Sequence, residues 1–440
     1  MNKFLADLHI HSRYARACSP QLTVENIELW CRIKGLRLVA TGDFTYPKWR
    51  DDLHEKLEPV GNGLYRLKKE FRVSDPRFKE VDQAEVNFIC GTEIACIYSN
   101  GGQVRRIHHL IFAPSLEVVD KIVELMDQRG CKLKSDGRPI VGMSSRDLLQ
   151  LILKADERCK LIPAHAWTPW FAIFGSKSGY DSIEECFGDM SDQIFAIEMG
   201  LSSDPAMNWR VKALDKVGLT ASSDAHSLPN LGREAVEFTG DELSYDQIFK
   251  AIKLSSIEAR VKGLRSTFQV SQTIGFFPDE GRYHYDGHRE HKVSLHPAET
   301  RKYKGICPKC HRPLVIGVLN RVEELATEPE GRIPEQAVPF TSLVELDKVI
   351  AQSLGVKGRA TKAVEAEYWP LVSKGGGELS VLLQTTEDEL NKMTSPVIVE
   401  GIMRLRRKQV EIIPGYDGEY GRINIFTDKE RKKYSQGSLF

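Results

Sequence analysis

No apolar run in the 440-residue sequence approaches the roughly 20 residues that cross a bilayer, so no membrane-spanning helix is expected. The opening Met-Asn-Lys-Phe-Leu-Ala-Asp lacks the apolar stretch of a signal peptide, and the expected location is cytoplasmic. A surplus of one charge is also missing. Lys plus Arg and Asp plus Glu number 61 each, which excludes a global field that gathers polyanions and leaves any nucleic-acid contact to local basic patches. Internal repeats are absent. Nine cysteines, an odd number scattered through strand-like and helix-like runs, exclude a disulfide framework and leave Cys307-x-x-Cys310 as one metal-binding pair. With 41% hydrophobic and 28% charged residues the composition is that of an ordinary globular protein. The length suits one barrel-sized domain of roughly 200 to 260 residues plus a second unit.

What is present is a serial supply of metal ligands. Asp7-Leu8-His9-Ile10-His11 alternates apolar and ligating residues, so a strand there projects Asp7, His9 and His11 to one side. Ser223-Asp224-Ala225-His226 closes another apolar run far downstream. Between them Asp43, Glu93, His109 and His165 each sit in or just after a short apolar run. Imidazoles and carboxylates collected from several strand ends are what borderline and hard cations require.

The intervening text alternates strand and helix. Thr23 caps a helix ending at Gly35, followed by a strand at 36–40; strands near 86–98 and 106–113 precede helices at 115–128 and from Ser144 or Ser145. A strand at 160–164, one at 194–199, a helix at 204–217 and a strand at 219–222 complete the run. Residues 46–85, polar and rich in Pro and Gly, read as an excursion over the top. Such alternation predicts parallel strands with crossover helices and functional residues at the C-terminal strand ends. The pattern changes near Gly263, becomes rich in His, Cys and charge over 281–317, and turns helical from about 340. The expected units are therefore 1–262 (catalytic), 263–325 (zinc-binding) and 326–440 (mainly helical), with the last ten residues frayed.

The order Asp-x-His-x-His, Gly-Asp, Gly-x-Glu, His-Leu, His, Asp-x-His resembles the polymerase and histidinol phosphatase (PHP) superfamily. Within it, His11-Ser12-Arg13-Tyr14, Thr41-Gly42-Asp43-Phe44-Thr45, Thr168-Pro169-Trp170-Phe171, Phe174-Gly175-Ser176 and Glu184-Glu185-Cys186-Phe187-Gly188-Asp189 are similar to the endonuclease Q family, over about residues 1 to 425. The resemblance implies an α/β fold, a distorted (βα)7 PHP barrel with a small zinc-binding module and a C-terminal helical region. It implies a first metal held by His9, His11, Glu93 and Asp224. A second falls to Glu93, His109 and His165, with the glutamate bridging, and a third position faces Asp43 and His226. His108 competes with His109, which is preferred because it precedes Leu110 and Ile111. Where three-metal members place another histidine after the opening pair, this chain has Arg13, Arg16 and Cys18. Asp7 is read as an acceptor orienting a histidine ligand, Asp43, Glu93, Asp224 and His226 as catalytic, and the ions as Zn, Mg or Mn.

Read from spacing, His288-x-x-His291 and Cys307-x-x-Cys310, fifteen residues apart, form a finger closed by one structural zinc. Trp167, Trp170 and Phe171 follow a metal ligand directly and could line a pocket for an extruded base. Arg105-Arg106, Arg301-Lys302-Tyr303-Lys304, residues 404–408 and Arg431-Lys432-Lys433 are candidate phosphate contacts, and residues 415–421 a backbone-contact loop. The function implied is DNA repair: hydrolysis of the phosphodiester 5′ of deaminated bases (uracil, hypoxanthine, xanthine) or abasic sites in double-stranded DNA. Nucleoid association goes with that reading, and a sliding clamp or other repair factor is a candidate partner. The alternatives are a small-molecule phosphomonoesterase and a non-catalytic DNA-binding module.

Overall fold

The structure, a computed structural model, describes residues 2–78, 84–427 and 429–431; Lys432, Lys433 and the other positions after 431 lie outside the described residues. The opening strand β1 (Asn2–Asp7) runs parallel to β2 (Leu38–Ala40), which runs parallel to β3 (Asn87–Asn100). β3 pairs antiparallel with β4 (Gln103–Ala113), and β4 antiparallel with β5 (Lys160–Pro163). β6 (Ala196–Glu198) and β7 (Gly218–Thr220) are parallel. The Ala166 amide donates to the Glu198 carbonyl at 2.8 Å and the His11 amide to the Ala225 carbonyl at 3.1 Å, so hydrogen-bonded neighbours run from β1 through β7 and back to β1.

The expected strand–helix alternation therefore holds only in part. Gly101 and Gly102, both at positive φ, turn the chain straight from β3 into β4, which leaves no length for a crossover helix and forces an antiparallel pair. Helices Val24–Lys34, Leu116–Gln128 and Ser145–Ala155 form where expected, each capped by a hydroxyl from Thr23, Ser115 or Ser144. The helix expected over 204–217 stops after Pro205–Asn208 because the Arg210 carbonyl is drawn to the Thr327 and Glu328 amides. The excursion at 46–85 contains a helix (Pro47–Lys56) and a hairpin.

β8 (Ala235–Gly240) covers the other edge of β1, antiparallel. β9 (Gln269–Gly275) and β10 (Phe340–Ser342) extend the same sheet, which thus continues past the boundary expected at 262. A small hairpin, Asp286–His288 with Val293–Leu295, is inserted between them. The helical region beyond docks on helix Val24–Lys34. There the buried Lys34 ammonium meets Glu378 at 2.5 Å, and Glu378 also accepts from the Tyr368 hydroxyl at 2.6 Å and the Leu346 amide at 3.2 Å. Gly377, at φ 115°, has no room for a side chain: a Cβ would lie 2.9 Å from Gly35. Among the described residues no helix is long and apolar enough to cross a membrane.

Candidate metal centre

β1 ends at Asp7, and the chain continues extended with Leu8 and Ile10 buried in the core on one side. His9 and His11 therefore turn together to the other side, where β3 brings Glu93 and the segment after β7 brings Asp224. The His9 Nε2 lies 3.7 Å from Glu93 Oε1 and 3.5 Å from Asp224 Oδ1; His11 Nε2 lies 3.4 Å from Glu93 Oε2 and 3.1 Å from Asp224 Oδ1. Glu93 Oε1 is 2.8 Å from His108 Nδ1 and 3.0 Å from His165 Nε2. Three overlapping donor sets result: His9, His11 and Glu93; Glu93, His108 and His165; His11, Asp224 and His226. Donors about 3 to 4 Å apart are what an ion bound at about 2.0–2.2 Å to each requires. The buried His9 Nε2, His11 Nε2 and Asp224 Oδ1 have no hydrogen-bond partner, so the set fits a cation.

Second partners hold the rings. The His9 Nδ1 lies 3.0 Å from Glu198, whose carboxylate also accepts from the His165 amide at 2.9 Å; the His11 Nδ1 lies 2.9 Å from Asp43 Oδ1. With Nδ1 thus engaged, Nε2 is presented to the centre. Asp43, His165 and Asp224 all adopt positive φ (42°, 29° and 47°), a strained conformation for such residues at strand ends. Although burial works against it, Glu198, Asp224 and Glu93 hold the His9 imidazole well above its ordinary pKa, and Asp43 with Asp224 and Glu93 does the same for His11.

Three sequence readings change here. His109 is not in the cluster: Glu93 faces Leu110 across the β3–β4 ladder, so His108 shares the face of Glu93 while His109 points the other way, bonded to Ser145 at 2.8 Å and packed on Phe187. Asp43 is in none of the donor sets: its first oxygen meets His11 Nδ1, and its second accepts from the Ser12 amide at 2.6 Å and the Ser12 hydroxyl at 2.7 Å. Asp7 contacts no imidazole; it accepts from the amides of His9, Ser223 and Gly232, and burial pushes its carboxyl up to about 6. Two residues went unread. Glu198 ends a strand anticipated at 194–199, where a buried acid after an apolar run was the available signal. Arg138, on a loop with no such signal, reaches Glu93 Oε2 at 3.0 Å.

Elsewhere, His288, His291, Cys307 and Cys310 do converge, their ligand atoms all within 4.8 Å. The insert's own small core of Val293, Cys307 and Leu314 backs them, and the hairpin supplies the two imidazoles. Burial raises the Cys307 thiol, but the amides of Cys310 and Lys309 outweigh it and bring its pKa below the ordinary value.

Of the aromatic trio, Trp167 is buried and donates to Asn208 at 2.8 Å, so it lines no open pocket; Trp170 is 40% exposed against Tyr283, and Phe171 packs on His108. Several expected phosphate contacts already have partners within the protein, Arg301 and Arg407 in exposed surface pairs. Arg105 lies over Tyr180, Arg301 pairs with Glu323, Arg404 with Glu400 and Glu430, Arg407 with Glu387, and Arg406 donates to the Val381 and Leu382 carbonyls. Arg106, Lys302 and Lys304 remain exposed.

Comparisons with known proteins agree with this architecture. A PHP-associated family model matches residues 213–256, and an MJ0043 C-terminal domain model matches residues 345–409. The uncharacterized protein MJ0043 of Methanocaldococcus jannaschii is 33% identical over 274 residues, 60% of this chain and 32% of that protein, so the chain spans about a third of that relative's length. The uncharacterized protein YqxK of Bacillus subtilis is 25% identical over 437 residues, covering 96% of this chain and 100% of YqxK. The lesion-specific endonuclease PfuEndoQ of Pyrococcus furiosus superimposes with a TM-score of 0.81 at 27% identity over 98% of this chain and 99% of its own. An endonuclease Q in complex with a 27-mer duplex bearing an abasic lesion at the active site gives 0.80 at 28% identity over 98% of each chain. With its fold shared over nearly the whole length and its donor sets gathered at the strand ends, the chain is an endonuclease Q-like protein of the PHP superfamily.

Proposed function

We propose that the chain is a metal-dependent endodeoxyribonuclease that hydrolyses the phosphodiester 5′ of a deaminated base (uracil, hypoxanthine or xanthine) or an abasic site in duplex DNA. The observation that carries the reading is the three donor sets joined through Glu93 and His11, in a fold shared with an endonuclease whose complex holds an abasic duplex at its active site. The residues that would hold the ions, Zn, Mg or Mn, are His9, His11 and Glu93, then Glu93, His108 and His165, then His11, Asp224 and His226. Divalent cations held by these residues would lower the pKa of a water and stabilise charge on the attacking and leaving oxygens. The seven strands linked from β1 to β7 form the barrel whose strand ends carry this set.

Glu198 and Asp43 keep His9 and His11 in the tautomer and orientation that present Nε2 inward. Hydrolysis then forms one bond from water oxygen to phosphorus and breaks one P–O ester bond, with the water proton accounting for the hydroxyl released; no protein nucleophile is needed. Phe171 packs on His108 and Trp170 stands partly exposed against Tyr283, and the two offer ring faces to an extruded base. His288, His291, Cys307 and Cys310 hold a structural zinc, and that module with the C-terminal helices grips the duplex. A protein with this task works in the cytoplasm, at the nucleoid.

The test uses end-labelled duplexes carrying uracil, hypoxanthine, an abasic site or no lesion, with magnesium or manganese. Cleavage 5′ of the lesion, absent from the plain duplex, in chelator and in Glu93→Ala while the variant still binds DNA, is the expected result. Turnover of a generic phosphomonoester with no cut duplex would replace this reading by the phosphatase.

A further inference from the structure

We infer that Arg138 is a phosphate-contacting residue, its guanidinium taking a non-bridging oxygen of the scissile phosphodiester at the edge of the donor cluster; this rests on the hydrolytic reading above. Three observations carry it. First, the residue is built into the site. The Pro139 carbonyl accepts from the Ala95 amide at 3.0 Å, two residues from Glu93, and the Gly137 amide donates to the Tyr14 carbonyl at 3.0 Å. Asp136 holds the Arg138 and Arg16 amides at 3.1 Å each. A Cβ on Gly137 would lie 2.6 Å from Asp43 Oδ2, so the loop approaches the cluster as closely as backbone allows.

Second, the guanidinium is under-used. Its side chain is 25% exposed, and its one hydrogen bond to protein among the described residues goes to Glu93 Oε2, the carboxylate shared by two of the donor sets. A planar fork with five donors and one protein acceptor, partly open to solvent, is suited to an oxyanion.

Third, the charges leave a place for one. Four carboxylates touch the histidine cluster: Asp43, Glu93, Glu198 and Asp224. Divalent cations in the donor sets would match or exceed these four negative charges, and Arg138 would add a further positive charge beside them. A cation held next to other cations is unfavourable until an anion joins it, so the arrangement favours a phosphodiester and, more so, the extra negative charge that develops as water adds.

The test compares wild type, R138A and R138K, each loaded with manganese. Manganese content, inorganic phosphate affinity by calorimetry, and single-turnover cleavage of the abasic duplex with and without guanidinium chloride are measured. In R138A the manganese content should stay at the wild-type level while phosphate affinity falls about 10-fold or more. Cleavage should fall about 100-fold and be partly restored by guanidinium but not by sodium chloride. R138K, which keeps a cation in the loop, should lie between and guards against a folding defect. Loss of manganese together with phosphate would make Arg138 only a support for Glu93 and overturn the inference, as would unchanged phosphate affinity. If wild type cuts no lesion duplex, the functional reading fails by itself, and the phosphate titration still decides Arg138.

Discussion

Two adjacent histidines on β4 carry opposite duties because strand side chains alternate. His108 faces Glu93 and His165, whereas His109 is buried against Ser145 and Phe187. His108→Ala is expected to lower the metal content and to cost about 100-fold in cleavage. His109→Ala should keep its metal but lose about 2–4 kcal/mol of stability, from the cavity and the stranded Ser145 hydroxyl. Metal analysis beside thermal unfolding separates them, and the reverse pattern would restore His109 as the ligand. The order of ligands was legible in the sequence; this choice was not, because it depends on Glu93 standing opposite Leu110, a register between two strands. Glu198 was hidden for a related reason: it meets His9 across 189 positions of chain.

At the scale of elements, the convergence of His288, His291, Cys307 and Cys310 was readable since both pairs are local and the hairpin beside them is self-contained. The contact between the N-terminal helix and the C-terminal helices was not. It turns on Lys34 and Glu378, buried together 344 positions apart. Lys34→Met leaves Glu378 buried with only a hydroxyl and an amide, and should destabilise by about 3–5 kcal/mol in urea unfolding; adding Glu378→Met should recover most of that. A K34M protein as stable as wild type would show that the pair does not hold this junction.

Over the whole molecule, charge is balanced, so duplex binding rests on local exposed cations. Arg106→Ala, Lys302→Ala or Lys304→Ala should each flatten the dependence of log K for duplex binding on log salt by about 0.9, whereas Arg404→Ala should leave the slope unchanged and lower stability. Stability against pH is set in part by Glu234. Burial pushes its carboxyl up to about 8 from the usual 4.5, though the Phe276 amide donates to it, and its second oxygen has no partner. The folded state keeps a proton that the unfolded chain loses above 4.5, so this contribution is full below that pH and declines as the pH climbs to 8, by about 1.4 kcal/mol per unit. Glu234→Gln should flatten the fall in unfolding free energy between pH 5 and pH 8; an identical fall in both proteins would mean that Glu234 is already ionised.

The sequence alone determined which residue types lie at which strand ends, the capped helices between them, and the paired His and Cys of the insert. All of these follow from local periodicity, capping and short spacings. Only the tertiary structure decided that Trp167 is sealed in the core while Trp170 is open, that Asp43 stands behind His11, and that Arg138 joins the cluster. Each of these depends on which segments meet across long chain separations, and a linear pattern of apolar and polar residues does not encode that register.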